Sequence, residues 1–452
     1  MRFLKNAQDD ELISKIMRNW FSYFLTLLYT LWFSSSCNSV KRSITPTMDF
    51  KKHRSTTAYS PKSDELLADL LRSYPHYFDS LLVNNDTWQI QVIYTQINRD
   101  RQNKPSFKHL YYNVNSSQYF YPASTVKLPA AILSLQKLNE LKIKGLDKNT
   151  TMITDSGFEG QTSVYNDPTS ADGRPTIAHY IKKILLVSDN DAYNRLYEFL
   201  GQEYINNCLS KMGYDSVEII HRLSLPLTEE QNRYTNPIRF VDTSSNTIYQ
   251  QPLLRSSLTH HQRNNKMGMG FYSNNKLITA PFDFSKKNRL ALTDLHSILQ
   301  SVIFPGAMNK KQRFNLKEED YQFLYTYMSM YPGESIHPSY DNAHNDAYVK
   351  FLLYGAKDPV RPNIRIFNKV GDAYGFLIDA AYVVDFDNKI EFLLSAVIHC
   401  NPDGIYNDDK YEYEKVGFPF MKHLGEVIYE YEKTRKRKYL PDLSIFKMNY
   451  GQ

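Results

Sequence analysis

Two long apolar runs, Phe376 to Asp385 and Lys389 to His399, are joined only by the polar turn Asp385-Phe386-Asp387-Asn388. That pattern reads as two buried strands of one hairpin. Far upstream, Trp88 to Ile97 alternates like a strand. Lys108 to Asn113 reads as its hairpin partner, and Gln118 to Tyr121 as a short edge piece. The two strand regions are expected to pair across everything between them. The material around them has helical spacing. Ser63 to Arg72 starts polar and turns amphipathic, Leu128 opens a longer helix, and Thr176 is placed to cap a helix to Leu186. Ala192 to Leu200 follows, with Gly201 expected to stop it. Arg289 to Leu299 is helical again. Phe420, Leu424, Val427, Ile428 and Tyr431 share one face of a closing helix. Residues 222–285 look polar and irregular, with no core of their own, and 305–365 mix helix and loop. The expected fold class is α+β: an antiparallel sheet flanked by helices, with an inserted, mostly helical lobe over about 129–345.

The 452 residues are 42% hydrophobic, ordinary for a globular protein. A net charge of +6, spread along the chain, gives no footprint for nucleic acid. The densest basic run, Lys433 to Lys438, reads as a solvated helix end. No Cys or His spacing suits a metal, His260-His261 included, and no cofactor is expected. Cys208 and Cys400 are open to two readings, a disulfide or two separate thiols. Residues 1–37 read as an export signal, with Met17 a better start than Met1: one positive charge, an apolar run from Phe21 to Phe33, then Ser34-Ser35-Ser36-Cys37. That ending resembles a bacterial lipoprotein processing site. It makes Cys37 the expected lipidation point and a membrane-anchored, envelope location the expected one. Simple secretion and an uncleaved anchor stay open. Residues 38–60 read as a polar tether, 61–435 as the folded domain and 436–452 as a C-terminal tail.

The chemistry is concentrated in Tyr119-Phe-Tyr-Pro-Ala-Ser-Thr-Val-Lys127. Ser124 and Lys127 share one face of a helix start, within hydrogen-bond reach. A Ser hydroxyl needs a base to become a nucleophile, and a Lys whose pKa is lowered by burial or nearby positive charge supplies one. The helix start adds free N–H groups for a developing oxyanion. Ser134/Lys137, Ser273/Lys276 and Ser444/Lys447 have the same spacing, but only the first pair follows a strand-like run and opens a helix. Two further motifs follow in order: Ser188-Asp189-Asn190 in a break between helices, and Lys369-Val370-Gly371 before a turn and a long strand.

Together these resemble the penicillin-recognising serine hydrolases, specifically the class A β-lactamase type, which pairs S-x-x-K with S-D-N and K-T-G. The resemblance spans roughly residues 60–435 and implies a β-lactamase/transpeptidase-like fold. It implies that Ser124 is the nucleophile, that Lys127 helps deprotonate it, and that Ser188 relays a proton to the leaving nitrogen. Asn190 would hold the substrate amide and position Lys127. Lys369 would add positive charge beside Ser188. The N–H groups of Ser124 and Asp372 would form the oxyanion hole, with Gly371 part of the substrate-binding strand. Asp189 reads as structural.

The pattern also departs from that family. If Arg222 matches the loop Arg of class A enzymes, Ser224 stands where the Glu that activates the deacylating water belongs. Glu229 and Glu230 are nearby substitutes, but out of register. Val370 replaces the hydroxyl residue that binds a substrate carboxylate, and Asp372 adds a negative charge. At about 5 Å and an effective dielectric near 20, two like charges repel by roughly 3 kcal/mol. Arg361 and Arg365 are the upstream candidates to compensate. The stretch 235–365 is long for such an enzyme; it reads as a roof over the cleft, a partner surface or a surface elaboration. Three functions stay open: a hydrolase acylated at Ser124 by a small-molecule or peptide amide, β-lactam or ester; a slowly deacylating, penicillin-binding enzyme acting on peptidoglycan-derived peptides; and a non-catalytic envelope binding lipoprotein.

Overall fold

The computed structural model describes residues 61–451. The expected export signal, the tether and Cys37 lie outside that range. Five strands form the central antiparallel sheet: β1 (Gln91–Arg99), β2 (Pro105–Tyr112), β3 (Ile364–Ala373), β4 (Phe376–Asp385) and β5 (Ile390–His399), in the order β3-β4-β5-β1-β2. The terminal strands therefore pair across the middle of the chain, with Gln91 opposite Val397 and Gln96 opposite Phe392. Successive side chains of a strand point to opposite faces. Ile366, Val370, Leu377 and Phe392 face one core with α1 (Glu65–Arg72), α2 (Pro75–Val83) and the C-terminal helix, which runs Phe418–Thr434. Phe367, Phe376, Ile378 and Leu393 face the other, with the middle of the chain. Both faces are covered, so β4 and β5 are buried at every position and read as unbroken apolar runs.

In the middle lie α3 (Lys127–Leu141), α4 (Ile177–Val187), α5 (Asn190–Met212), α6 (Leu292–Ile303) and α7 (Glu318–Ser329); the C-terminal helix is α8. α3 is buried on all sides, from Leu128 through Leu135, as the axial helix of the lobe. Thr176 caps α4 by accepting a hydrogen bond from His179 N, as its sequence position suggests.

Several elements differ from the sequence reading. Gln118 to Tyr121 forms no strand. Gly201 does stop the helix before it, as expected, with non-helical φ 74° and ψ 157°; what differs is that a second helical segment follows without a gap and ends at Gly213, the two being written together as α5. The Lys369 motif precedes the turn into β4, as expected, and itself lies in a full-length strand, β3, for which no strand was expected. Residues 222–285 are not coreless. Ile238–Val241 is the middle strand of a small sheet with Thr151–Thr154 and Thr247–Gln251, and Phe240 and Phe284 are fully buried. These strands are too short for their alternation to stand out. The basic run near the C-terminus is only partly solvated: Arg435 Nε donates to the buried Glu432 carboxylate at 2.9 Å, and Arg437 pairs with it too. Cys208 and Cys400 are two free thiols.

Candidate active site

The chain enters α3 through a 3₁₀ turn, Ala123–Val126, so Ser124 and Lys127 are stacked one above the other. Pro129 falls in the first turn of α3, where its missing N–H costs nothing. Lys127 is fully buried and its ammonium is a junction. Nζ lies 2.8 Å from Ser124 Oγ, 2.7 Å from Asn190 Oδ1 and 3.2 Å from Ser188 Oγ, and also donates to the Ser188 carbonyl.

Ser188 ends α4 in the left-handed region, φ 62°, an unusual conformation for a residue other than glycine. That turn brings its hydroxyl between two lysines. Lys369 Nζ donates to Ser188 Oγ at 2.8 Å and to the Val370 carbonyl at 2.9 Å. Asp189 caps α5, accepting from Ala192 N at 2.7 Å, which places Asn190 in the first turn facing Lys127. The five residues singled out from three distant motifs are thus one hydrogen-bonded group.

Burial, aided by the charge of Lys369, holds the Lys127 amine well below the usual lysine range; Asp189 and Asp372 oppose this. Burial brings Lys369 down to about 7, again against Asp372 and Asp379. A neutral amine at Lys127 can accept the Ser124 proton across the 2.8 Å contact. Removing the Lys369 charge should let Lys127 hold its proton to higher pH. The acid limb of acylation is therefore expected to move to higher pH in Lys369→Gln, measured as burst rate against pH; an unmoved limb would separate the two lysines.

β3 runs past the 3₁₀ turn with almost no clearance. A Cβ on Gly371 would lie 2.8 Å from the Pro122 carbonyl oxygen, 2.9 Å from Ser124 N and 3.0 Å from Thr125 N. Glycine is required there to bring the strand beside Ser124 N, one of the two expected oxyanion donors. Gly371→Ala is expected to push β3 away and slow acylation on the order of a hundredfold, read by stopped-flow burst kinetics.

α5 holds the loop opposite. Asn190, Asn194 and Glu198 are one turn apart on a single helix face. Asn190 Nδ2 donates to Ser224 Oγ at 2.8 Å. Asn194 bonds both main-chain groups of Leu223, at 2.8 and 3.0 Å. Glu198 takes Arg222 Nε at 2.9 Å and Arg195 at 3.0 Å, all three side chains being buried. Burial raises the Glu198 carboxyl, and the two guanidiniums oppose that. The loop is therefore pinned in register, 222 to 198, 223 to 194, 224 to 190. The i, i+4, i+8 spacing of Asn190, Asn194 and Glu198 was the signal available in the sequence for this support. Glu229 and Glu230 do not reach the site. They pair with Lys286 at 2.9 Å and Arg255 at 2.7 Å.

Two cavities meet at Ser124, Asn190 and Asp372. One, about 410 Å³, is walled by Tyr121, Tyr374, Tyr411 and Tyr413, with Ser224 on its floor. The other, about 460 Å³, runs past Ser188 and Val370 to Asn345, Tyr348 and Lys357. Residues 343–357 of the long insertion thus form a cleft wall. Lys350 fixes that wall from behind, donating to Asn368 Oδ1 at 2.7 Å, while Asp379 accepts from Phe351 N and Leu352 N. Arg365 forks onto Glu334 at 2.7 and 2.8 Å, and Arg361 lies over Tyr429; neither lines the cleft. The other three Ser/Lys pairs form no comparable group. Ser134 Oγ bonds the Ala130 carbonyl and Lys137 Nζ the Phe199 carbonyl, for example.

Residues 79–274 match a family model described as Beta-lactamase enzyme family. That stretch holds Ser124, Lys127, Ser188, Asn190 and Ser224; Lys369 to Asp372 lie beyond it. Similar solved structures include a β-lactamase from Burkholderia phymatum, at 13% identity over 81% of this chain and 100% of that chain, TM-score 0.45. A class A β-lactamase from Clostridium kluyveri matches at 13% identity over 79% and 99%, TM-score 0.44. A mutant of PBP-A, as an acyl-enzyme complex with penicillin G, matches at 15% identity over 81% and 96%, TM-score 0.44. No curated protein matches the chain.

Proposed function

We propose that this chain, whose residues 79–274 match the Beta-lactamase enzyme family model, is a serine hydrolase of that type that forms an acyl-enzyme on Ser124 and releases the acyl group slowly. The observation that carries this reading is the Lys127 junction, with one buried amine within 2.8 Å of both Ser124 Oγ and Asn190 Oδ1. Ser124 Oγ attacks the carbonyl of an amide, β-lactam or ester while Lys127 takes its proton. The N–H groups of Ser124 and Asp372 receive the oxyanion. Ser188, bonded to both lysines, passes a proton to the leaving group, the C–N or C–O bond breaks, and the acyl group stays on Ser124.

Slow release follows from Ser224. The position bonded to Asn190 Nδ2 carries a hydroxyl, which cannot act as a general base near neutral pH. Export and membrane attachment through Cys37 belong to the same proposal, resting on the charged start, apolar run and Ser-Ser-Ser-Cys sequence.

Intact mass of residues 38–452 over time, with a penicillin, a cephalosporin and an activated ester, tests the reading. A persistent adduct is the expected result for at least the ester. An adduct that vanishes while substrate is consumed in many turnovers contradicts slow release. No adduct with any of the three contradicts catalysis and leaves a binding protein.

A further inference from the structure

The unpaired charges lining the cleft are of one sign. Asp372 lies where the two cavities meet, and its carboxylate makes no hydrogen bond or ion pair among the described residues. Asp409 lines the tyrosine-walled cavity, equally unpaired. In the other cavity Lys357 and Glu414 neutralise each other in an ion pair. Among the described residues no arginine lines either cavity. The two buried lysines are directed at internal acceptors, Lys127 at Ser124, Ser188 and Asn190, and Lys369 at Ser188 and the Val370 carbonyl. Val370, beside Ser188, offers no hydroxyl to an anion.

From this arrangement we infer that the cleft selects acyl donors whose leaving group carries a cationic nitrogen, and that Asp372 is the residue that sets this preference. The inference rests on the acyl-enzyme reading and deepens it. The departing side of the substrate lies toward Ser188, since that hydroxyl bridges the two lysines and is placed to hand on a proton. Asp372 and Val370 line the same cavity as Ser188. A cation there meets an unpaired carboxylate in a partly enclosed site, where the attraction is several times stronger than in open water. A carboxylate in the same place meets repulsion with no arginine to relieve it. Substrates ending in a free carboxylate, β-lactams included, are therefore the poor ones. An amino-acid or peptide derivative that presents an ammonium group on its departing portion suits the site.

Three thioesters sharing one acyl group test this: phenylacetyl esters of thiocholine (cationic), 2-mercaptoethanol (neutral) and 3-mercaptopropionate (anionic). In each, Ser124 Oγ bonds the acyl carbon, the C–S bond breaks and the proton leaves on the thiol, which a thiol reagent counts. Each acylation rate is divided by that ester's own hydroxide-driven rate, to remove differences in leaving-group reactivity. The expected order is cationic, neutral, anionic, with the ends at least about tenfold apart. Asp372→Asn keeps the size and the main-chain N–H, and should collapse the cation-to-anion rate ratio to within about twofold, whatever the change in rate common to all three esters. Acylation that ignores charge, favours the anion, or keeps its spread in Asp372→Asn overturns the inference and leaves the acyl-enzyme reading intact. No Ser124-dependent thiol release from any ester overturns both.

Discussion

Ser224→Glu is expected to turn a single burst into sustained turnover. Ser224 Oγ is 2.8 Å from Asn190 Nδ2, and the other end of that amide is 2.7 Å from Lys127 Nζ. A carboxylate at 224 would share the tyrosine-walled cavity with Ser124 and have a hydrogen-bond donor ready to orient it. From there it can draw a proton from a water facing the acyl carbonyl. General-base catalysis of this kind is worth roughly 10²–10⁴ in rate. Backbone strain is no new obstacle, because Ser224 already holds φ 55° as a residue with a Cβ. The pins at Arg222–Glu198 and Leu223–Asn194 should hold the loop in register in the variant. The measurement is product formed after the burst in Ser224→Glu against wild type. A folded variant whose acyl-enzyme is as long-lived as before would show that the missing base is not what limits release.

Lys127→Ala carries the second large effect, on acylation rather than release. The substitution removes the base, and with it four hydrogen bonds that tie Ser124, Ser188 and Asn190 together. Losing a positioned general base costs about 10²–10⁴, and a loss of alignment adds to that. A fall in burst rate of at least about a thousandfold is expected. Buried lysines of depressed pKa are unfavourable when charged, since folding must strip or desolvate the proton. Folding stability at neutral pH should therefore fall little in the variant. A thermal transition near that of the wild type, alongside the lost burst, separates a chemical role from a structural one. A burst rate within tenfold of wild type would rule out Lys127 as the base.

The site was legible in the sequence because each motif residue is fixed by its neighbours in the chain. A strand-like approach, a Pro and an apolar run mark the turn that stacks Ser124 on Lys127. A helix end and an Asp cap mark the turn that aims Ser188 and Asn190. The sheet was legible for a similar reason: β4 and β5 are buried on both faces, so their apolar runs are unbroken. What escaped depends on contacts between distant segments. Residues 343–357 look like loop, and only Lys350 reaching Asn368, with Asp379 holding Phe351 N and Leu352 N, makes them a cleft wall. Gly201 is a helix stop by local chemistry and acts as one; the helix that starts directly after it escaped because it depends on Ile205 and Leu209 having a core to enter. The short strands around Phe240 carry too few residues for alternation to appear, and they are stabilised by pairing with Thr151–Thr154.

The most direct test of the account is the identity of the acylated atom. Wild type and Ser124→Ala are incubated with one neutral activated ester, and the products are read by intact mass and by peptide mapping. The account predicts one acyl group per chain in the wild type, on the peptide containing Ser124, and none in Ser124→Ala. Equal labelling of the variant, or an adduct mapped to another residue in the wild type, would contradict it.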